Sequence, residues 1–179
     1  FEVEWGEACP VESYAEALKA DVDHQIKAVL VTHNETATGV LSDVATVRRV
    51  MDAAGHTALL YVDGVSSIGS MEFRLDDWGV ELGIAGSQNG VLLPAGLSIL
   101  GISEKAIAAM ETATLPRYYF DLRDMIAQLA VGGYPYTPVV GMLNGLAVST
   151  QMLLDEGLDN VFARHHRIAE GVRTAVRAW

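Results

Sequence analysis

The sequence predicts an α/β protein built on a mostly parallel sheet flanked by helices. Short runs of β-branched and aliphatic residues alternate with amphipathic stretches of helical period, which is the rhythm of strand, helix, strand. Three of the runs pass directly into clusters of Ser, Thr, Asn, Asp and Gly. In a parallel sheet such clusters share the edge formed by the strands' carboxyl ends, where ligands bind.

The elements follow in order. Residues 27–33, Lys-Ala-Val-Leu-Val-Thr-His, form a strand rich in branched side chains that runs into a polar loop. Ser42 and Asp43 supply cap chemistry for a helix to about Ala54, with Gly55 as its stop. Thr57 to Val62 is the second strand and ends on Asp63; Leu82 to Ala85 is the third and Leu97 to Ile102 the fourth. Ser103-Glu104-Lys105 opens a short helix toward Glu111. From about Asp121 the chain is helical, and Pro135 and Pro138 interrupt it before a long apolar helix over roughly 139–154. A final helix places Leu158, Val161, Phe162, Ile168, Val172 and Val176 on one face.

Half of the 179 residues are apolar, enough for a sizeable core in one domain or a large piece of one. No run of about 18 uncharged apolar residues occurs, so no membrane span is expected. A net charge of -11 argues against nucleic-acid or anionic-membrane partners, which need a basic patch. It leaves room for a local phosphate held by backbone N–H groups. The single cysteine, Cys9, forms no intramolecular disulfide and supports no cysteine zinc site, and a cytoplasmic location is expected.

The polar clusters are His33-Asn34-Glu35-Thr36-Ala37-Thr38-Gly39, Asp63-Gly64-Val65-Ser66-Ser67 and Gly86-Ser87-Gln88-Asn89-Gly90. Each alone reads as a turn; the three together at one edge read as a site. Common alternatives fail on their own residues. Gly64 and Gly69 have P-loop spacing, but Ser70-Met71 stands where Lys-Ser/Thr is required. His165 and His166 are adjacent on a helix and point to different faces, so no metal pair forms and no metal is expected. His33 with Asp63 suggests a hydrolase pair, yet no G-x-S-x-G elbow accompanies it.

The run from Val31 to Val40, Val-Thr-His-Asn-Glu-Thr-Ala-Thr-Gly-Val, resembles class V pyridoxal-phosphate-dependent aminotransferases, and most closely the serine–glyoxylate and alanine–glyoxylate types. So do Val62-Asp63 with Ser66-Ser67, Gly86-Ser87-Gln88, Leu93-Pro94 with Gly96, Gly133-Tyr134-Pro135-Tyr136-Thr137-Pro138, and the run from Glu156 to His165. The resemblance covers essentially the whole chain. It implies a fold-type I large domain, in part, with an N-terminal portion and a C-terminal small domain expected outside residues 1–179. It also implies amino transfer from serine or alanine to glyoxylate, with small amino-acid and 2-oxo-acid substrates.

The same resemblance assigns residues. Asp63 is expected to pair with the pyridine nitrogen of pyridoxal 5′-phosphate, keeping the ring an electron sink. Thr36 is expected to donate its hydroxyl to the cofactor, and Gln88 to help hold its phosphate. Tyr134 and Thr137 are expected to reach the cofactor phosphate of a neighbouring subunit, which implies a homodimer with shared sites. Ser67 is a weaker candidate for supporting Asp63. Asn89 stands where family members carry the lysine that forms a Schiff base with the cofactor and then moves the proton. An amide does neither. None of the three lysines, Lys19, Lys27 and Lys105, replaces it, Lys27 being expected at the opposite edge of the sheet. The chain as written is therefore expected to be inactive in transamination. The alternative from another class is a catalytically silent scaffold or dimerisation protein. A cysteine desulfurase reading finds no support, since nothing marks Cys9 as a nucleophile.

Overall fold

The computed structural model describes residues 1–179. Four strands form one sheet in the order β1 (Ala28–Thr32), β4 (Leu59–Asp63), β5 (Leu82–Gly86) and β6 (Ser98–Ile102). The first three run parallel, and β6 returns antiparallel to β5. Sequence periodicity carries no sign of strand direction, so the reversal at β6 was not legible in it. The polar loop after β1 is itself a small hairpin, β2 (Asn34–Glu35) against β3 (Val40–Leu41). Gly39 closes its turn at φ +72°, a conformation that a side chain resists.

Helix α2 (Val44–Ala53) crosses from β1 to β4, and its ends are where the sequence put them. The Asp43 side chain accepts the Thr46 N–H at 2.9 Å, and Gly55 follows the last turn at φ +62°. Val44, Val47 and Met51 from α2 meet Val29, Val31, Leu60 and Val62 from the sheet, all buried. Helix α1 (Val11–Ala20) packs beside α2 and contributes Leu18 to the same core. Lys19, whose segment reads as helical in the sequence, lies near the end of this helix.

The amino edge of the sheet is tied by charge. Buried Glu81 accepts the Leu60 N–H at 2.5 Å and pairs with Lys105 Nζ at 3.0 Å and Arg48 Nη1 at 3.4 Å. One carboxylate thus joins β4, α2 and α3 (Glu104–Met110), the last capped by the Ser103 side chain. Lys27 lies at this edge too, as expected, with Nζ donating to the His24 carbonyl at 2.6 Å.

The second half of the chain is helical: α4 (Leu122–Ala130), α5 (Val140–Glu156) and α6 (Leu158–Ala178). The apolar stripe on α6 is present, but most of it is uncovered. Val161 is fully buried, whereas Ile168, Val172 and Val176 are 58–62% exposed. Leu30 on β1 is likewise 70% exposed, although strands of a parallel sheet are normally covered on both faces. The core is correspondingly modest for a chain this apolar, with only 27 residues buried. No helix is long and apolar enough to cross a membrane.

Candidate functional site

Parallel pairing sets Thr32 beside Asp63 and Asp63 beside Ile84. The loops that follow β1, β4 and β5 therefore leave from one edge, and the three polar clusters meet there. Because β6 is antiparallel, its first residue, Ser98, lies opposite Gly86, and the whole 87–97 loop belongs to that edge.

Each loop is fastened to its neighbour. His33, the first residue after β1, is buried, and its backbone N–H donates to the Asp63 carbonyl at 2.8 Å. Its Nδ1 meets the Ser67 Oγ at 2.8 Å, while Ser67 Oγ also donates to the Gly64 carbonyl at 3.3 Å. The ring packs on Phe73 and Trp78, and this burial lowers the His33 pKa below the usual histidine range. His33 is thus a neutral strut under the Asp63 loop, and its partner is Ser67 rather than the carboxylate of Asp63. A second tie runs from Asn34 Nδ2 to Ser66 Oγ at 3.0 Å, with Ser66 Oγ donating back to the Asn34 carbonyl at 2.8 Å. Asn34 Oδ1 is buried beside it without a hydrogen-bond partner.

Ser87 organises the last loop. It is fully buried, its Oγ donates to the Pro94 carbonyl at 2.7 Å, and that oxygen accepts the Leu97 N–H at 3.1 Å. The loop is thereby folded back against its own start, and Leu92 adopts φ +67°, rare for a bulky residue. Gly90 touches the 68–70 turn so closely that a Cβ there would lie 2.4 Å from the Ile68 carbonyl oxygen.

This framework presents Thr36, Asp63, Gln88 and Asn89, all exposed. Thr36 lies in the turn of the β2–β3 hairpin. Asp63 ends β4, and its Oδ1 accepts the Val65 N–H at 3.0 Å, which leaves the other carboxylate oxygen free of protein partners. Asn89 donates from Nδ2 to the Val65 carbonyl at 2.8 Å. The two side chains thus fasten to opposite ends of one residue, so carboxylate and amide are held within about 10 Å of each other. Tyr134 and Thr137 do not belong to these three loops. They are exposed on the segment between α4 and α5, and neither side chain hydrogen-bonds to another residue of the chain.

No group of His, Cys, Asp and Glu side chains is arranged to hold a metal ion. His165 Nδ1 instead meets the Val161 carbonyl at 2.9 Å within its own helix. Cys9 is half-buried, and burial raises its thiol pKa, the reverse of what a nucleophile needs. An apolar cleft of about 210 Å³ lies between Phe1, α1 and β1, and no residue of the polar clusters lines it. A second, of about 280 Å³, reaches the other side of His33 between Ser42, Glu72 and Trp78.

The four exposed residues were legible in the sequence, but the ties beneath them were not. His33–Ser67 and Asn34–Ser66 join positions 34 and 32 residues apart, and no local pattern announces such pairs.

The pattern of the class-V aminotransferase family matches residues 8–177. The chain is 62% identical to an L-aspartate–glyoxylate aminotransferase of Paracoccus denitrificans, over 99% of the chain and 45% of that protein. It is 55% identical to a serine–glyoxylate aminotransferase of Hyphomicrobium methylovorum, over 98% of the chain and 44% of that protein. Among solved structures, a pyridoxamine–pyruvate aminotransferase from Mesorhizobium loti matches 99% of the chain with a TM-score of 0.88 and 32% identity. The match covers 45% of that structure, so the chain spans somewhat less than half the length of the relatives it resembles.

Proposed function

The chain belongs to the class V aminotransferases and has the fold-type I sheet, and from that premise we propose that it forms part of the cofactor-binding large domain of an enzyme of amino transfer to glyoxylate. The observation that carries this reading is the meeting of Asp63, Thr36, Gln88 and Asn89 at one sheet edge on a fastened framework. Three of these four residues suit pyridoxal 5′-phosphate, and Asn89 does not. Asp63 keeps a free carboxylate oxygen for the pyridine nitrogen, and Thr36 and Gln88 offer exposed donors to the cofactor and its phosphate. The bound cofactor supplies the electron sink for bonds broken at an amino acid's α-carbon.

What the chain lacks is a base and a covalent anchor. Asn89 can neither link to the cofactor nor carry a proton between substrate and ring. Nor does another lysine reach this edge, since Lys27 and Lys105 are engaged at the opposite one and Lys19 lies on α1. We assign to this chain non-covalent cofactor binding and transamination slower by orders of magnitude than in a lysine-bearing relative. Serine and aspartate are the amino donors to try first, as the donors named for the relatives.

The exposed stripe on α6 and the exposed Tyr134 and Thr137 support a homodimer in which one subunit completes the other's site. A cytoplasmic location accords with the single half-buried thiol. The second reading, a silent scaffold, is favoured by Asn89 itself.

The test is turnover by the full-length protein and its Asn89→Lys variant, with serine or aspartate as donor and glyoxylate as acceptor. Restoration of transamination by lysine supports the aminotransferase reading. Failure of both proteins to bind the cofactor would hand the chain to the scaffold reading.

A further inference from the structure

Three consecutive residues carry the ties of the polar edge. The Val65 N–H meets Asp63 and its carbonyl meets Asn89, Ser66 meets Asn34, and Ser67 meets His33. Of these, the Ser66 tie lies furthest out on the β2–β3 hairpin. Beyond it, the hydrogen bonds of residues 35–41 stay inside the hairpin: the Ala37 N–H donates to the Glu35 carboxylate at 2.8 Å, the Gly39 N–H donates to the Glu35 carbonyl at 2.7 Å, and β2 pairs with β3. Residues 35–39, Thr36 among them, are exposed. We propose that Asn34 and Ser66 are a positioning pair, which holds the Thr36 hydroxyl in register with the Asp63 carboxylate so that both meet the cofactor in one pose. This inference rests on the cofactor-binding reading given above.

The pair is closed on itself. Ser66 has a single hydroxyl proton, which it donates to the Asn34 carbonyl at 2.8 Å, and its oxygen accepts from Asn34 Nδ2 at 3.0 Å. Asn34 Oδ1 is buried without a partner, so Ser66 is the group that fixes the amide. Both bonds run through the Ser66 oxygen. Ser66 follows Asp63 by three residues, and Asn34 precedes Thr36 by two, so the pair joins the two segments close to both functional groups. With the pair removed, the nearest remaining ties are at His33 and Ser42, and the hairpin pivots on its base. A hairpin already fixed loses less freedom when a ligand binds, and this is how the pair raises affinity without touching the cofactor.

The experiment is a calorimetric titration of the full-length protein with pyridoxal 5′-phosphate, in variants at positions 34, 36 and 66. Hydrogen exchange of residues 34–41 is measured before the cofactor is added. Ser66→Ala removes both bonds and should weaken binding about tenfold while exchange in the hairpin rises. Ser66→Thr keeps the hydroxyl and should bind as the natural sequence does. Asn34→Ala removes one bond, so its loss should be smaller, and the double variant should be no worse than Ser66→Ala. In a Thr36→Ala background, Ser66→Ala should change affinity little, because the pair acts through Thr36. A merely structural role would lower affinity equally in both backgrounds. Equal losses, or unaltered binding by Ser66→Ala, overturn the inference and leave the cofactor site standing. If a thermal melt shows Ser66→Ala unfolded, Asn34→Ala decides by the same comparison. Absence of binding by the natural sequence overturns the cofactor reading and the inference with it.

Discussion

Gly90→Ala is the substitution whose cost can be worked most directly from the structure. An alanine Cβ at this position would stand 2.4 Å from the Ile68 carbonyl oxygen, 2.5 Å from the Gly69 carbonyl carbon and 2.7 Å from the Ser70 nitrogen. All three are backbone atoms, so no side chain can swing aside. The turn that carries them is itself held, with Ser70 and Met71 both donating N–H groups to the Ser67 carbonyl at 2.9 Å. Gly69 faces the same contact from the other side, at φ +86°. Relief requires the 87–97 loop to lift from the 68–70 turn, which also pulls Asn89 from the Val65 carbonyl. Overpacking of this kind costs about 3 kcal/mol, equivalent to a melting temperature lower by about 10 °C for a chain of this size. Gly171→Ala is the control, because a Cβ there meets nothing and the residue lies inside α6. It should gain about 0.5–1 kcal/mol. Urea denaturation and thermal melts of the two variants give both numbers. A Gly90→Ala protein as stable as the natural sequence would refute the close contact between the two loops.

Three further outcomes follow from single contacts. Met51→Ala empties a fully buried site between α2 and the sheet and should cost about 2–5 kcal/mol in urea denaturation. Asp43→Ala removes the α2 cap and should cost about 1 kcal/mol, whereas Asp43→Asn should cost much less. For His33 the folded pKa is lowered by burial, so below the ordinary histidine pKa the unfolded chain binds a proton that the folded one refuses. Stability is therefore full above that range and falls as pH drops through and below it. His33→Gln should flatten this part of a melting-temperature profile, and an unchanged slope would remove His33 as its source.

The parts legible in the sequence were those with a local cause. Residues 28–32 and 59–63 announce strands by their branched and aliphatic runs. Helix α2 is announced by the Asp43 cap and the Gly55 stop. That three clusters meet at one edge followed once the strands were taken as parallel, because parallel strands end together. Elements without a local cause were missed. The β2–β3 hairpin has two-residue strands, too short for an alternating pattern to show. The direction of β6 is fixed by tertiary pairing along Leu82–Gly86. In the site, Asp63 could be named because it matches a familiar pattern and Asn89 because it interrupts one. Their common attachment to Val65 depends on two chain segments 24 positions apart and became visible only in the fold.

The most direct test of the central claim is whether the natural chain forms any covalent link with the cofactor. Full-length protein and its Asn89→Lys variant are incubated with pyridoxal 5′-phosphate, reduced with borohydride, and compared by intact mass and peptide mapping. Stoichiometric labelling of the variant at position 89, with none on the natural sequence, is the predicted result. Stoichiometric labelling of the natural sequence at Lys19, Lys27 or Lys105 would contradict it, since a lysine that the structure places away from the edge would then be serving the site.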